Sequence, residues 1–262
     1  MNGVRRVLGP LVLLALAGCH RGPGSPHPAA RSPGALPPSS AGFLLPGSAF
    51  EPYGPCPRAT DPRIPAGSGC AFVVQGDLDG DRRPDLLFSY AVLGAGGRAR
   101  SWFLRAVLAS GRATSLEVPQ PSQLEVLGMA DVNGDGRQEG LVQLDQGAST
   151  SFVGIYTLDG RRALVPVTED GDGPLRFGLN GSVTHGDGGG CATGTDGKPR
   201  LVIRSVERTN EGPYDSVVKT YTWDGTSVRL AGTERGVIDA GDGSDPSLRP
   251  FYEFTCGSLH LS

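Results

Sequence analysis

The sequence predicts an all-β fold, propeller-like, with three to four short blades. Three observations predict it. Glycine and proline supply 41 and 22 of 262 residues, too many for a helical bundle and in keeping with a turn-dense β-protein. Apolar residues fall in short runs bounded by turn residues, and no stretch carries a convincing helical pattern. A polar, glycine-bearing loop followed by strand-like runs recurs, starting at Asp77, Asp131 and Thr193. These starts are 54 and 62 residues apart, which at about four strands per unit is the scale of a propeller blade.

The N-terminus reads as an address. Arg5 and Arg6 precede the short apolar stretch Val7–Ala17, and Leu16-Ala17-Gly18-Cys19 follows. A basic start, a short apolar core and small residues before a cut site make a secretory signal over 1–18, not a transmembrane helix. Small residues directly before a cysteine resemble the lipobox of bacterial lipoproteins. The resemblance implies that Cys19 becomes the first mature residue and carries fatty-acyl chains. Two or three such chains anchor stably where one is marginal. Loss of 1–18 would move the formal charge from −3 to −5. Residues 19–42 then read as the lipidated cysteine and a Pro/Gly/Ser tether, too poor in apolar bulk to bury a core. The remaining residues, 43–262, form the expected β-repeat domain.

Four cysteines remain after Cys19: Cys56, Cys70, Cys191 and Cys256. An even number in an exported domain reads as two disulfides, with three connectivities open. The favoured pairing is Cys56–Cys70, across a short proline-rich loop, with Cys191–Cys256 tying the C-terminus back. No CxxC spacing points to a metal.

Two acidic loops carry the chemistry. The first is Asp77-Leu78-Asp79-Gly80-Asp81-Arg82-Arg83-Pro84-Asp85, and the second is Asp131-Val132-Asn133-Gly134-Asp135-Gly136-Arg137-Gln138-Glu139. Each places side-chain oxygens at positions 1, 3, 5 and 9. The carbonyl at position 7, Arg83 or Arg137, can add a backbone oxygen. Calcium is a hard cation that takes about six to eight oxygens at roughly 2.3–2.6 Å, whereas magnesium demands a rigid octahedron. Without a cation the carboxylates would repel one another. The first loop has four carboxylates and the second has three, so the first is expected to bind calcium more tightly. An EF-hand is excluded, because position 12 is Phe88 or Val142 and strands flank the loops in place of helices.

A calcium loop between two strands, ending in an acid and then Leu86-Leu87 or Gly140-Leu141-Val142, resembles the FG-GAP and VCBS repeats. Those repeats build integrin α-subunit propellers and many bacterial surface proteins. The match spans about 13 residues, twice. The resemblance implies two calcium sites and blades with calcium loops between strands. Glu139 stands where the family usually has Asp.

A third copy, Thr193-Gly194-Thr195-Asp196-Gly197-Lys198-Pro199-Arg200, has lost at least two ligands and one residue. It is not expected to hold calcium, and Arg200 is a candidate local source of positive charge. After each copy come a second strand (Ser101 to Leu108, Phe152 to Leu158, Val217 to Trp223), a glycine turn and a third strand (Thr114 to Val118, Ala163 to Val167, Ser227 to Leu230). Asp159-Gly160 and Asp224-Gly225 lie between alternating runs and are strong hairpin signals.

No G-x-S-x-G or HExxH motif occurs. The His185-Gly186-Asp187-Gly188-Gly189-Gly190 stretch reads as a flexible glycine connection, and Glu169-Asp170-Gly171-Asp172 as a solvated turn. Trp102 and Trp223 read as core. The acidic balance excludes a nucleic-acid partner. The sequence thus predicts no catalysis. It predicts a membrane-anchored lipoprotein at the cell envelope with a calcium-stabilised binding or scaffold domain, its partner an envelope protein or polysaccharide. A polysaccharide hydrolase and a subunit of a larger envelope complex are the alternatives.

Overall fold

The computed structural model describes residues 64, 68–70, 73–95, 98–119, 121–208, 212–241 and 243–262. The expectations for the leader, Cys19, the tether and Cys56 lie outside the described residues. Among the described residues no helix is long and apolar enough to cross a membrane.

Three antiparallel four-stranded meanders follow one another. The first comprises β2 (Val74–Gly76), β3 (Asp85–Leu93), β4 (Ala99–Val107) and β5 (Ala113–Val118), with β1 (Gly69–Cys70) also on β3. The second comprises β6 (Glu125–Ala130), β7 (Glu139–Gln146), β8 (Thr150–Leu158) and β9 (Leu164–Pro166). Next come β10 (Thr168–Glu169), β11 (Gly173–Pro174) and β12 (Arg176–Ser182). The third meander is β13 (His185–Thr193), β14 (Pro199–Glu207), β15 (Tyr214–Asp224) and β16 (Ser227–Ile238). A 3₁₀ turn (Pro246–Phe251), β17 (Phe254–Cys256) and β18 (Leu259–Leu261) end the chain.

The middle meander is buried on both faces. Val126, Val142, Leu144, Tyr156 and Leu158 pack with Leu87 and Leu104 of the first meander. The alternate residues Leu141, Val153 and Ile155 pack with Leu201, Tyr221 and Val228 of the third. This is period-two alternation with both sets apolar, which makes β7 read as a near-continuous hydrophobic run. The sheets therefore stack face to face, the first and third meanders on opposite sides of the second.

Two features depart from separate blades joined by loops. β12 pairs with β8 and with β13, so the second and third meanders form one continuous sheet. The glycine stretch read as a connection is β13 itself. Its glycines let other backbone approach: a Cβ on Gly188 would lie 2.6 Å from the Glu253 carbonyl oxygen. Any side chain there would push the C-terminal segment off the sheet. That segment is pinned by the Cys191–Cys256 disulfide, Cα atoms 4.8 Å apart, beside the parallel β13–β17 pair. Cys70 is disulfide-bonded too.

Candidate metal centre

The two acidic loops occupy the same place, between the first and second strands of their meanders: Asp77–Asp85 between β2 and β3, and Asp131–Glu139 between β6 and β7. Each folds on its own side chains. At position 1, Asp77 accepts from the backbone N–H of Gly80 and Arg82, both at 2.8 Å, and Asp131 from Gly134 and Gly136 at 2.7 and 3.0 Å. Position 3 accepts from position 5, Asp79 from Asp81 and Asn133 from Asp135. Position 5 accepts from position 7, Asp81 from Arg83 and Asp135 from Arg137. Position 9 reaches back to position 2, Asp85 to Leu78 N–H at 2.8 Å and Glu139 to Val132 N–H at 2.9 Å. These are Asx turns in series, and they curl the chain around its own oxygens. Position 4 needs a left-handed backbone, and Gly80 (φ 79°) and Gly134 (φ 74°) supply it.

The carboxylates of Asp77, Asp79 and Asp85 offer oxygens that all lie within 4.8 Å of one another. Asp81 stays outside this triad, exposed at the rim. Asp85 is fully buried, its second oxygen accepting from Ala109 N–H at 2.8 Å. Burial raises its pKa, and the charge of Asp79 adds to the rise. In the second loop Glu139 is fully buried and is pushed up to about 8, first by burial and then by the charges of Asp135 and Asp131. The longer side chain reaches Thr157 Oγ1 in β8 (3.3 Å) and Asn133 Nδ2 (3.1 Å). Asp135 is held below its usual range: burial opposes this, but the Arg137 guanidinium fork outweighs it. The Arg83 guanidinium is shared between the Ala109 carbonyl, 3.1 Å, and Asp81 Oδ2, 4.0 Å.

Several residues the sequence reading passed over shape the centre. Arg162, in the β8–β9 turn, places Nη1 2.8 Å from Asp79 Oδ2, although 83 residues separate them. Gln138 locks the loops together: its backbone N–H donates to the Asp77 carbonyl and its Oε1 accepts from Asp77 N–H, both at 2.7 Å. Neither contact has a local sequence signal. The third loop is closed differently, with Arg200 Nη2 2.7 Å from Asp196 Oδ2.

The other candidates are ordinary. His185 Nε2 faces both Asp187 Oδ2 (2.8 Å) and Thr150 Oγ1 (3.4 Å). One ring nitrogen serving both is not a proton relay, which needs the two nitrogens on different partners. Glu169, Asp170 and Asp172 line an open pocket of about 390 Å³, where Arg229 meets Asp170 at 3.6 Å. Trp102 and Trp223 pack against the core.

The sequence matches no protein-family model, and no curated protein matches it.

Proposed function

We propose that this chain is an exported, lipid-anchored protein whose β-domain, of the FG-GAP/VCBS type, takes up two calcium ions and serves as a binding or scaffold module at the cell envelope. The observation that carries the reading is the shared design of the two loops. Both wrap a position-1 aspartate in backbone N–H groups and bury a position-9 acid, Asp85 or Glu139, that accepts hydrogen bonds from backbone N–H and neutral side chains and from no cationic side chain. Buried carboxylates with no direct ion pair are costly, and a hard divalent ion with oxygen ligands would relieve that cost. Asp77, Asp79 and Asp85 would hold it in the first loop, with Asp81 and the Arg83 carbonyl at the rim. Asp131, Asn133, Asp135, Glu139 and the Arg137 carbonyl would do so in the second. The ion would be structural: it would pin both loops and leave the partner surface elsewhere. Three stacked meanders, each carrying its loop in the same place, support propeller-like packing.

Thermal unfolding of the full chain in EDTA and in millimolar calcium tests this. At tenfold excess over Kd each site adds about 1.4 kcal/mol. Two sites then raise the midpoint by about 5–10 °C. Asp79→Asn and Asp131→Asn should each remove about half of the rise. A midpoint indifferent to calcium would leave the loops as turns.

A subunit role has one observation of its own. Residues 229–238 of β16 pair with β15 on one side only among the described residues, with Leu230 and Val237 exposed. A free edge of that length is a template for another strand.

A further inference from the structure

We propose that the two acidic loops take up calcium as a coupled pair, each filled loop raising the affinity of the other through a clasp between Asp77 and Gln138; this rests on the calcium reading above and assigns the regulation of those sites. Asp77 is position 1 of the first loop. Gln138 is position 8 of the second, 61 residues further along the chain. Two hydrogen bonds of 2.7 Å join them: Gln138 N–H donates to the Asp77 carbonyl, and Asp77 N–H donates to Gln138 Oε1. Asp77 therefore belongs to both loops. Its carboxylate accepts from Gly80 and Arg82 in its own loop, and its main chain holds the other.

The clasp falls where it can act on ligands. A peptide unit is planar and trans, so Gln138 N–H and the Arg137 carbonyl turn together as one rigid plate. That carbonyl is the backbone oxygen assigned to the second site. Seating the N–H on Asp77 sets the direction of the carbonyl, and the next residue is the fully buried Glu139. In the first loop, the clasped N–H and carbonyl flank the Cα that carries the position-1 carboxylate. A second bridge runs through side chains. A Cβ on Gly80 would stand 3.0 Å from Arg137 Cγ, so the tip of the first loop lies against the stem of the arginine whose guanidinium holds Asp135.

Without a cation, the carboxylates converging in each loop repel one another and favour opening. A cation in one loop opposes that opening, and the clasp then keeps one wall of the other loop in place. The second ion meets a loop already partly ordered, which is cooperativity without a change of fold. Such coupling is reciprocal, and a clasp of two hydrogen bonds suits the low end of its usual range, about fivefold. Repulsion between the two ions works the other way, but salt screens it and leaves the clasp intact.

The test uses the full chain with Cys19→Ala, prepared without acylation, in calorimetric calcium titrations at physiological and at raised salt. Asp79→Asn disables the first site and Asp131→Asn the second. Gln138→Met keeps both ligand sets and the side-chain length but removes the Oε1 acceptor. The second site in Asp79→Asn should bind about fivefold more weakly than in the parent, and the first site in Asp131→Asn should weaken by the same factor. Both factors should persist at raised salt and shrink towards one when Gln138→Met is present throughout. Hydrogen exchange gives a readout independent of affinity. Calcium should slow exchange at residues 131–139 of the Asp131→Asn protein, whose second loop holds no ion, and should fail to do so once Gln138→Met is added. Weaker binding at both sites in Gln138→Met with the factors unchanged makes Gln138 a structural prop and overturns the coupling. So does calcium uptake at two sites that ignore each other, which leaves the calcium reading standing. No calcium uptake by the parent overturns that reading and the coupling with it.

Discussion

The first and third loops occupy equivalent places in their meanders and solve the same problem in opposite ways. Both follow a first strand and curl by accepting backbone N–H groups on an aspartate. In the first, Asp77, Asp79 and Asp85 converge and the nearest positive charge is Arg162, brought from a neighbouring meander. In the third, the position-1 and position-3 oxygens belong to Thr193 and Thr195, and the remaining Asp196 is neutralised by Arg200 four residues on. The turn therefore survives loss of its acids. What the acids add is a charge problem, and a local arginine suffices only when one carboxylate is left. The second loop lies between: it has one carboxylate fewer, but burial and two acidic neighbours push its position-9 acid up to about 8.

The largest expected effect separates the third loop further. Its incoming strand is clamped covalently, because Cys191 lies two residues before Thr193 and is bonded to Cys256, 65 residues away. Cys256 Sγ also sits 3.6 Å from the Asp131 carbonyl oxygen, so the clamp props the second loop. A cross-link closing a loop of that length contributes about 4 kcal/mol in the chain-entropy account. Cys191→Ser with Cys256→Ser should lower the unfolding midpoint by about 10 °C in calcium and in EDTA alike. A loss seen only in EDTA would mean that the clamp and the ion do one job.

Glu139→Gln sharpens the contrast between the first and second loops. The amide keeps an acceptor for Val132 N–H and removes a buried titratable acid that has two acidic neighbours and is pushed up to about 8. The metal-free protein should unfold within about 1 kcal/mol of the parent or above it. The calcium-dependent rise should fall by about half, roughly 1.4 kcal/mol at tenfold excess, read from midpoints with and without EDTA. A large loss without calcium would show that the carboxylate itself, through Thr157 and Asn133, holds the loop.

Strand order was legible in this sequence because each strand is short, alternating and bounded by a turn signal; Asp224-Gly225, for instance, became the hairpin pairing Asp224 with Ser227. The position-1 and position-9 acids were legible because the loops are local and rest on side chains two to seven residues away. The Cys191–Cys256 bond was the favoured pairing among three connectivities that parity left open. What was hidden depends on distant backbone. Gly188, Gly189 and Gly190 look like a linker, because glycine's meaning lies in what approaches it, here Glu253, Val202 and Thr255. β12 joins two meanders by satisfying strand edges at both of its ends, which no periodicity announces. Arg162 and Gln138 reach the first loop from the second meander, and a turn arginine or a loop glutamine looks the same whether or not it lands on a carboxylate.

Arg162→Ala is the smallest effect, and its two readouts move in opposite directions. The guanidinium sits on Asp79, whose side chain is 3% exposed, while its own side chain is 49% exposed. A half-exposed pair of this kind contributes well under about 1 kcal/mol once solvent screening and side-chain ordering are counted. Without calcium, removing it leaves three converging carboxylates with less compensation, so the midpoint should fall by about 1–2 °C. With calcium, the same arginine competes for the Asp79 oxygen, so its removal should tighten the first site by about two- to fivefold in calorimetric titration. Destabilised apo protein with tighter calcium binding identifies a tethered cation standing where the ion would act. Weaker binding would make Arg162 a positioning group for Asp79, and the first loop would then need its arginine as much as the third loop needs Arg200.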